Sequence, residues 1–180
     1  MNSRDEPISQ GDLDQLCGIY AAINALSAVE PRMTNDDQHV LFRRMISKIS
    51  EGDRSARAIL TSGLDNDAVA RCLRNGARYI SNEHGRQIEL SEMQPRLKLN
   101  DLLYVLRYRL GRRCVAVANV RGTWSHWTVI ARATKSRLYL IDSAGRPNIS
   151  MSTLSSEERG PRLRAGNIIL VTRGRRMSGN

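Results

Sequence analysis

The 180-residue sequence contains no run of about 18 apolar residues, so it predicts no helix that spans a membrane. Its first residues, Met1–Pro7, are polar and lack the apolar core of a signal peptide. We therefore expect a cytoplasmic protein. Secretion by a dedicated machine, as for a host-directed effector, is the alternative that these residues leave open.

Cysteine is scarce: the three cysteines are far apart in the sequence and form neither a disulfide framework nor a CxxC pair. The three histidines are equally scattered, and no spacing typical of metal ligands occurs. We therefore expect no disulfides, no metal and no other cofactor. Cys72 lies in a helical pattern and Cys114 opens a strand-like run, so both are predicted to be small buried hydrophobic residues.

Aromatic residues make up only 4% of the chain, while the net charge of +10 raises the question of a nucleic-acid partner. Few aromatic rings are available to stack on bases, and the basic residues are spread along the whole length. Only three of the 28 basic residues are lysines. The composition therefore argues against nucleic acid as the main partner and leaves an acidic protein partner open.

The order of the predicted elements indicates an α+β fold, because helical patterns fill the first half and strand patterns the second. Helices are predicted over residues 16–28, 35–49, 66–75 and 102–110, and strands over residues 114–120, 127–133, 137–141 and 167–172. We expect the helices to pack on one face or one end of an antiparallel sheet. Residues 1–173 are predicted to form a single catalytic domain, and residues 174–180 a disordered basic tail.

The first candidate for chemistry is Cys17, which stands with Gly18 where a polar segment becomes an apolar helix. A thiol at the N-terminus of a helix lies beside unsatisfied N–H groups and the positive end of the helix dipole, which favours the thiolate. Gln10 precedes the cysteine by seven residues, and its side-chain N–H is a candidate donor to an oxyanion.

A histidine and an aspartate lie at two later element boundaries. His126 begins one predicted strand, and Asp142 follows the end of the next. A hairpin returns the chain to its starting point, so we expect the two side chains to lie side by side. A carboxylate in that position holds an imidazole in one tautomer and stabilises the imidazolium. Cysteine, histidine and aspartate in this order are the parts of an activated thiol nucleophile.

The sequence resembles papain-like cysteine peptidases. The resemblance rests on these residues and on the segments Cys17-Gly18, His126-Trp127-Thr-Val-Ile and Leu140-Ile-Asp142-Ser. The resemblance is greatest to the small bacterial and Ulp-type members, including the peptidases that process bacteriocin leaders. It implies that Cys17 is the nucleophile, that His126 acts as general base and then acid, and that Asp142 orients the imidazole.

The resemblance also implies that Gln10 and the Cys17 backbone N–H stabilise the oxyanion. Gly11 occupies the place at which the family usually has its glutamine, so Gln10 serves only if the loop is one residue longer. Gln15, two residues before the cysteine, is the alternative.

The sequence therefore predicts a cysteine hydrolase, in the first place a narrow-specificity peptidase that forms a thioester acyl-enzyme. Deamidation, removal of a ubiquitin-like modifier and acyl transfer use the same machinery and stay open. The rival hypothesis from another class is a binding protein. It would be either a catalytically silent papain-like fold or a basic module for an acidic protein or nucleic acid.

Overall fold

A computed structural model describes residues 15–50, 63–122, 125–154 and 160–176 of the chain. The α+β prediction is confirmed: helices dominate the first half of the chain, and an antiparallel sheet dominates the second. The helices are α1 (Cys17–Val29), α2 (Asn35–Ser50), α3 (Asn66–His84) and α4 (Leu99–Arg109). None of the helices in these ranges is both long enough and apolar enough to cross a membrane.

The start of α2 follows from a reciprocal pair of hydrogen bonds. The Asp37 N–H donates to Thr34 Oγ1 at 3.2 Å, and the Thr34 N–H donates to Asp37 Oδ2 at 2.7 Å. Two backbone donors that the first turn leaves without partners are satisfied in this way. Thr34 therefore caps α2.

The predicted end of the third helix at Asn75 is wrong, because α3 continues through Gly76 and ends at His84. A Cβ atom at position 76 would collide with Leu26 of α1 and lie 3.1 Å from the Met45 side chain of α2. The glycine is therefore required by the close packing of three helices and does not end a helix. That contact outweighs the usual cost of glycine within a helix.

Six strands form one sheet in the order β1-β6-β2-β3-β4-β5, and every neighbouring pair is antiparallel. The strands are β1 (Arg86–Glu92), β2 (Cys114–Val120), β3 (His126–Ala133), β4 (Arg137–Ile141), β5 (Asn148–Ser150) and β6 (Ile168–Arg176). The four predicted strands are the inner ones. The two edge strands are missing from the prediction because β5 has three residues and β1 buries only Ile88.

The predicted domain boundary at residue 173 needs correction. Strand β6 continues to Arg176, which pairs with Arg86 of β1, so residues 174–176 belong to the sheet. The edge strand β1 supplies the backbone partners that this extension needs, and β1 was not predicted. Residues 177–180, the rest of the predicted tail, lie outside the described ranges.

The sheet carries helices on both faces, which corrects the expectation of a single helical face or end. One buried cluster joins α1, α2 and α3 to alternate residues of β2, such as Val115 and Val117. A second cluster joins Leu102 and Leu106 of α4 to the intervening residues, such as Ala116. Both faces of the central strands are therefore buried, and α1 packs against β3.

Candidate active site

His126 and Asp142 lie side by side at the open end of the β3–β4 hairpin. The two strands pair from Ala133 with Leu138 to Val129 with Ile141, which brings the first residue of β3 beside the residue that follows β4. The distance between His126 Nε2 and Asp142 Oδ1 is 2.8 Å. This is the juxtaposition that the hairpin spacing predicts from the sequence.

The turn that follows β4 holds the Asp142 carboxylate in place. The Ala144 N–H donates to Asp142 Oδ1 at 2.9 Å, and the Gly145 N–H donates to the Asp142 carbonyl oxygen at 3.1 Å. Asp142 is buried, and its second carboxylate oxygen, Oδ2, has no hydrogen-bond partner in the structure. The carboxylate therefore directs Oδ1, the oxygen held by the backbone, at the imidazole.

Cys17 is the first residue of α1, and its side chain lines a cleft beside the sheet. The cap residue, Leu16, provides no side-chain acceptor for the first N–H groups of the helix. The next residue is glycine because position 18 has no room for a side chain. A Cβ atom there would lie 2.8 Å from Val69 Cγ2 and 3.2 Å from Leu64 Cβ. The glycine therefore lets the first turn of α1, with its thiol, pack directly against α3 and the residues that precede it.

The protonation of His126 links the three side chains. Burial lowers the pKa of this histidine, but hydrogen bonds and charge from Asp142 and Cys17 outweigh burial and raise the pKa from 6.5 to about 9. Because Nε2 faces Asp142, Nδ1 is the ring nitrogen left for the thiol. The surroundings of His126 therefore favour its protonated form, with Asp142 on one side of the ring and Cys17 on the other.

The cleft that contains Cys17 has a volume of about 790 Å³. One wall is the stretch from Gly63 to Asp67, which enters α3, and the other is formed by the ends of β2 and β3. The Trp127 Nε1–H donates to the Leu64 carbonyl oxygen at 2.8 Å, which joins the two walls. Trp127 is buried, so its role here is to pack in the core and to hold the two walls of the cleft together.

The backbone is strained at Ser125, directly before His126. Ser125 has a φ of 40°, in the left-handed region that residues other than glycine rarely adopt. Such a conformation costs about 1–3 kcal/mol and is found most often at functional sites. Here it sets the direction in which the chain enters β3, and thereby the position of the His126 ring.

Asn119 is a cleft residue that the sequence analysis missed. It lies on β2 opposite Trp127, and its Oδ1 atom is buried without a hydrogen-bond partner. The available signal was an asparagine within the otherwise apolar run Cys114–Val120. Arg121 and Asn66 also line the cleft and were missed, because each lies at an element boundary with no distinctive pattern.

Only one of the two candidate oxyanion glutamines lies within the described residues. Gln10 lies outside the described residues, as does Trp124, the other tryptophan beside the histidine. Gln15 is exposed and lines the cleft together with Cys17.

The other two thiols occupy different surroundings from Cys17. Cys72 and Cys114 are buried, as predicted. Burial raises the pKa of the Cys72 thiol to about 12. Within the described ranges, no group of three or more histidine, cysteine or acidic side chains is arranged to hold a metal ion.

Three chains among the solved structures are similar to this protein. The fold is similar to the crystal structure of a double-glycine motif protease from an AMS/PCAT transporter in complex with its leader peptide, with a TM-score of 0.43 and 14% sequence identity. The similarity covers 94% of this chain and 91% of the other. No protein-family model and no curated protein sequence matches the chain.

Proposed function

We propose that this protein is a cysteine hydrolase of the papain-like type, with Cys17 as nucleophile, His126 as general base and acid, and Asp142 as the residue that orients the imidazole. The observation that carries the proposal is the position of His126. Its ring is hydrogen-bonded to the buried Asp142 carboxylate, and the Cys17 thiol contributes with Asp142 to its raised pKa. Each group alone is common in proteins, but this order of contacts is the arrangement that activates a thiol.

Catalysis begins when the Cys17 thiolate attacks the carbonyl carbon of an amide and forms a tetrahedral intermediate. The negative charge develops on the carbonyl oxygen, which the Cys17 backbone N–H and a glutamine side chain, Gln10 or Gln15, stabilise. When the intermediate collapses, the C–N bond breaks, and the His126 imidazolium donates its proton to the departing amine. The acyl group is left on sulfur as a thioester.

Water then resolves the thioester. Neutral His126 takes a proton from the water as its oxygen attacks the thioester carbonyl, and the C–S bond breaks to release the acid and the thiolate. Asp142 keeps Nε2 protonated throughout, so that Nδ1 exchanges the proton with substrate and water. We propose a peptide bond in a narrow range of sequences as the target; a side-chain amide or an amine acceptor requires the same steps.

Selective alkylation tests the proposal. Intact-mass analysis with limiting iodoacetamide at about pH 6 is expected to modify Cys17 alone, since acidic reactivity requires a stabilised thiolate. Cys17→Ser is expected to abolish the modification and His126→Ala to slow it strongly. Cys72→Ala and Cys114→Ala, which remove the buried thiols, are the matched controls and should leave it unchanged.

A library of peptides then tests turnover. Cleavage that depends on both Cys17 and His126 supports a peptidase. An unreactive Cys17 contradicts the proposal and favours the binding-module hypothesis. Cleavage retained in Cys17→Ser contradicts the assignment of Cys17 as nucleophile.

A further inference from the structure

A second cleft lies between the C-terminal half of α2 and the middle of α3, and its volume is about 250 Å³. Its floor is apolar and consists of Met45, Ile49 and Cys72. Its rim is basic and is formed by Lys48, Arg71, Arg74 and Arg78. These four basic residues are called the α2–α3 rim below. The cleft shares no lining residue with the Cys17 cleft.

The helical spacing explains why the arginines converge. Arg71, Arg74 and Arg78 follow one another at three and four residues along α3, which places them on one face of that helix. All three side chains are exposed, so they are free to turn toward a ligand.

The three arginines of this rim carry charges that no acidic group pairs with within the part of the chain that the structure describes. Among the described residues no carboxylate lines the cleft, and none of the three arginines has a hydrogen-bond or ion-pair partner. By contrast, Arg32 and Arg86 both pair with the buried Glu30. Like charges held close together repel one another, and an anion in the cleft removes that repulsion.

The composition of the rim indicates the chemistry of the anion. Guanidinium groups offer planar pairs of N–H donors that match phosphate oxygens, and three of the four rim cations are arginines. None of the described residues that line the cleft is aromatic, so they offer no platform on which a nucleobase could stack. The cavity is also compact, whereas an acidic peptide needs an extended groove.

We propose that the α2–α3 rim is a binding site for a small anion that carries two or more linked phosphate groups. The ligand lies over the apolar floor, and its phosphate oxygens accept hydrogen bonds from the arginines. The site does not depend on the proposed cysteine chemistry, and its test requires no enzymatic activity.

Isothermal titration calorimetry with sodium tripolyphosphate tests the site, at fixed ionic strength and without divalent cations. We expect one ligand per chain. The variant Arg74→Gln/Arg78→Gln is expected to lose roughly a hundredfold in affinity, about tenfold for each charge-assisted contact removed. Citrate, a carboxylate anion of similar size, should bind at least about tenfold more weakly than tripolyphosphate.

The control variant is Arg107→Gln/Arg109→Gln, which makes the same change in net charge on α4, the helix on the opposite face of the sheet. It should bind tripolyphosphate with wild-type affinity, and circular dichroism verifies that both variants fold. Equal losses in the two variants would show that binding follows net charge alone and would overturn the proposal. Absence of binding, citrate binding as tight as that of tripolyphosphate, or tighter binding of a single-stranded oligonucleotide through the same arginines would also overturn it.

Discussion

The substitution Asp142→Asn tests the electrostatics of the candidate site most directly. It keeps the size of the side chain and the oxygen that accepts the Ala144 N–H, but it removes the charge facing His126. Burial continues to lower the pKa of His126, and one of the two neighbours that raise this pKa is lost. We therefore expect the pKa of His126 to fall from about 9 to its ordinary value of 6.5 or below.

The size of the effect follows from these two values. At pH 7.5, a histidine with a pKa of about 9 is about 97% protonated, whereas one with a pKa of 6.5 is about 9% protonated. The population of imidazolium that stabilises the Cys17 thiolate thus falls about tenfold. The rate of Cys17 alkylation by iodoacetamide at pH 7.5 should fall by a similar factor or more. Near pH 10, where the imidazole is largely neutral in both proteins, the difference should disappear.

Asp65→Asn is the matched control for this experiment. Asp65 lines the same cleft as Cys17, and its Oδ1 accepts the Ala68 N–H at the start of α3, a bond that asparagine also makes. Its substitution removes the same charge and should leave the alkylation rate within about twofold of wild type, because exposed charges interact weakly. NMR titration of the imidazole provides the direct measurement. A wild-type rate in Asp142→Asn, or an equal decrease in Asp65→Asn, would refute the reasoning.

Three further substitutions test contacts at the two ends of α1 and beside the cleft, and chemical denaturation measures each of them. Trp127→Phe leaves the buried Leu64 carbonyl without its donor, so the free energy of unfolding should fall by about 1–3 kcal/mol. An unchanged free energy of unfolding would mean that this hydrogen bond contributes nothing to stability. Gly18→Ala should cost about 1–3 kcal/mol through overpacking, while Gly111→Ala, at a position with open space, should stay within about 0.5 kcal/mol; equal effects would contradict the packing argument. Glu30→Gln removes a buried carboxylate that accepts charge-assisted hydrogen bonds from two arginines and should cost about 1.5–3 kcal/mol; a loss below about 1 kcal/mol would contradict a structural role for these contacts.

The candidate residues could be identified from the sequence because each stands at the boundary of a locally encoded element. Cys17 opens an apolar helix, and the length of one hairpin fixes the distance between His126 and Asp142. No knowledge of tertiary packing is needed for either inference. Asn119 was missed because its place in the cleft depends on how β2 pairs with β3 and on which face α1 covers.

Two errors in the fold prediction arise from packing between distant elements. Gly76 has the sequence context of a helix end, and only its contact with Leu26 of α1 explains why the helix continues. The second helical face of the sheet did leave a signal in the sequence. Strand β2, Cys114–Val120, is apolar at every position but one, which is typical of a strand buried on both sides and does not fit a sheet with one exposed face.

Cys17 and His126, the proposed nucleophile and base, belong to different layers of the fold, and Leu64 connects them. Its side chain fills the space that Gly18 leaves beside Cys17, while its carbonyl oxygen accepts the Trp127 Nε1–H beside His126. A side-chain contact therefore fixes Leu64 against α1, and a backbone contact fixes it against the sheet. Any shift of Leu64 changes the position of the thiol relative to the imidazole, and displacements of about 1 Å are enough to impair catalysis. Gly18 and Trp127 thus have the same structural role. Each provides one of the two contacts through which Leu64 connects the helical layer to the sheet.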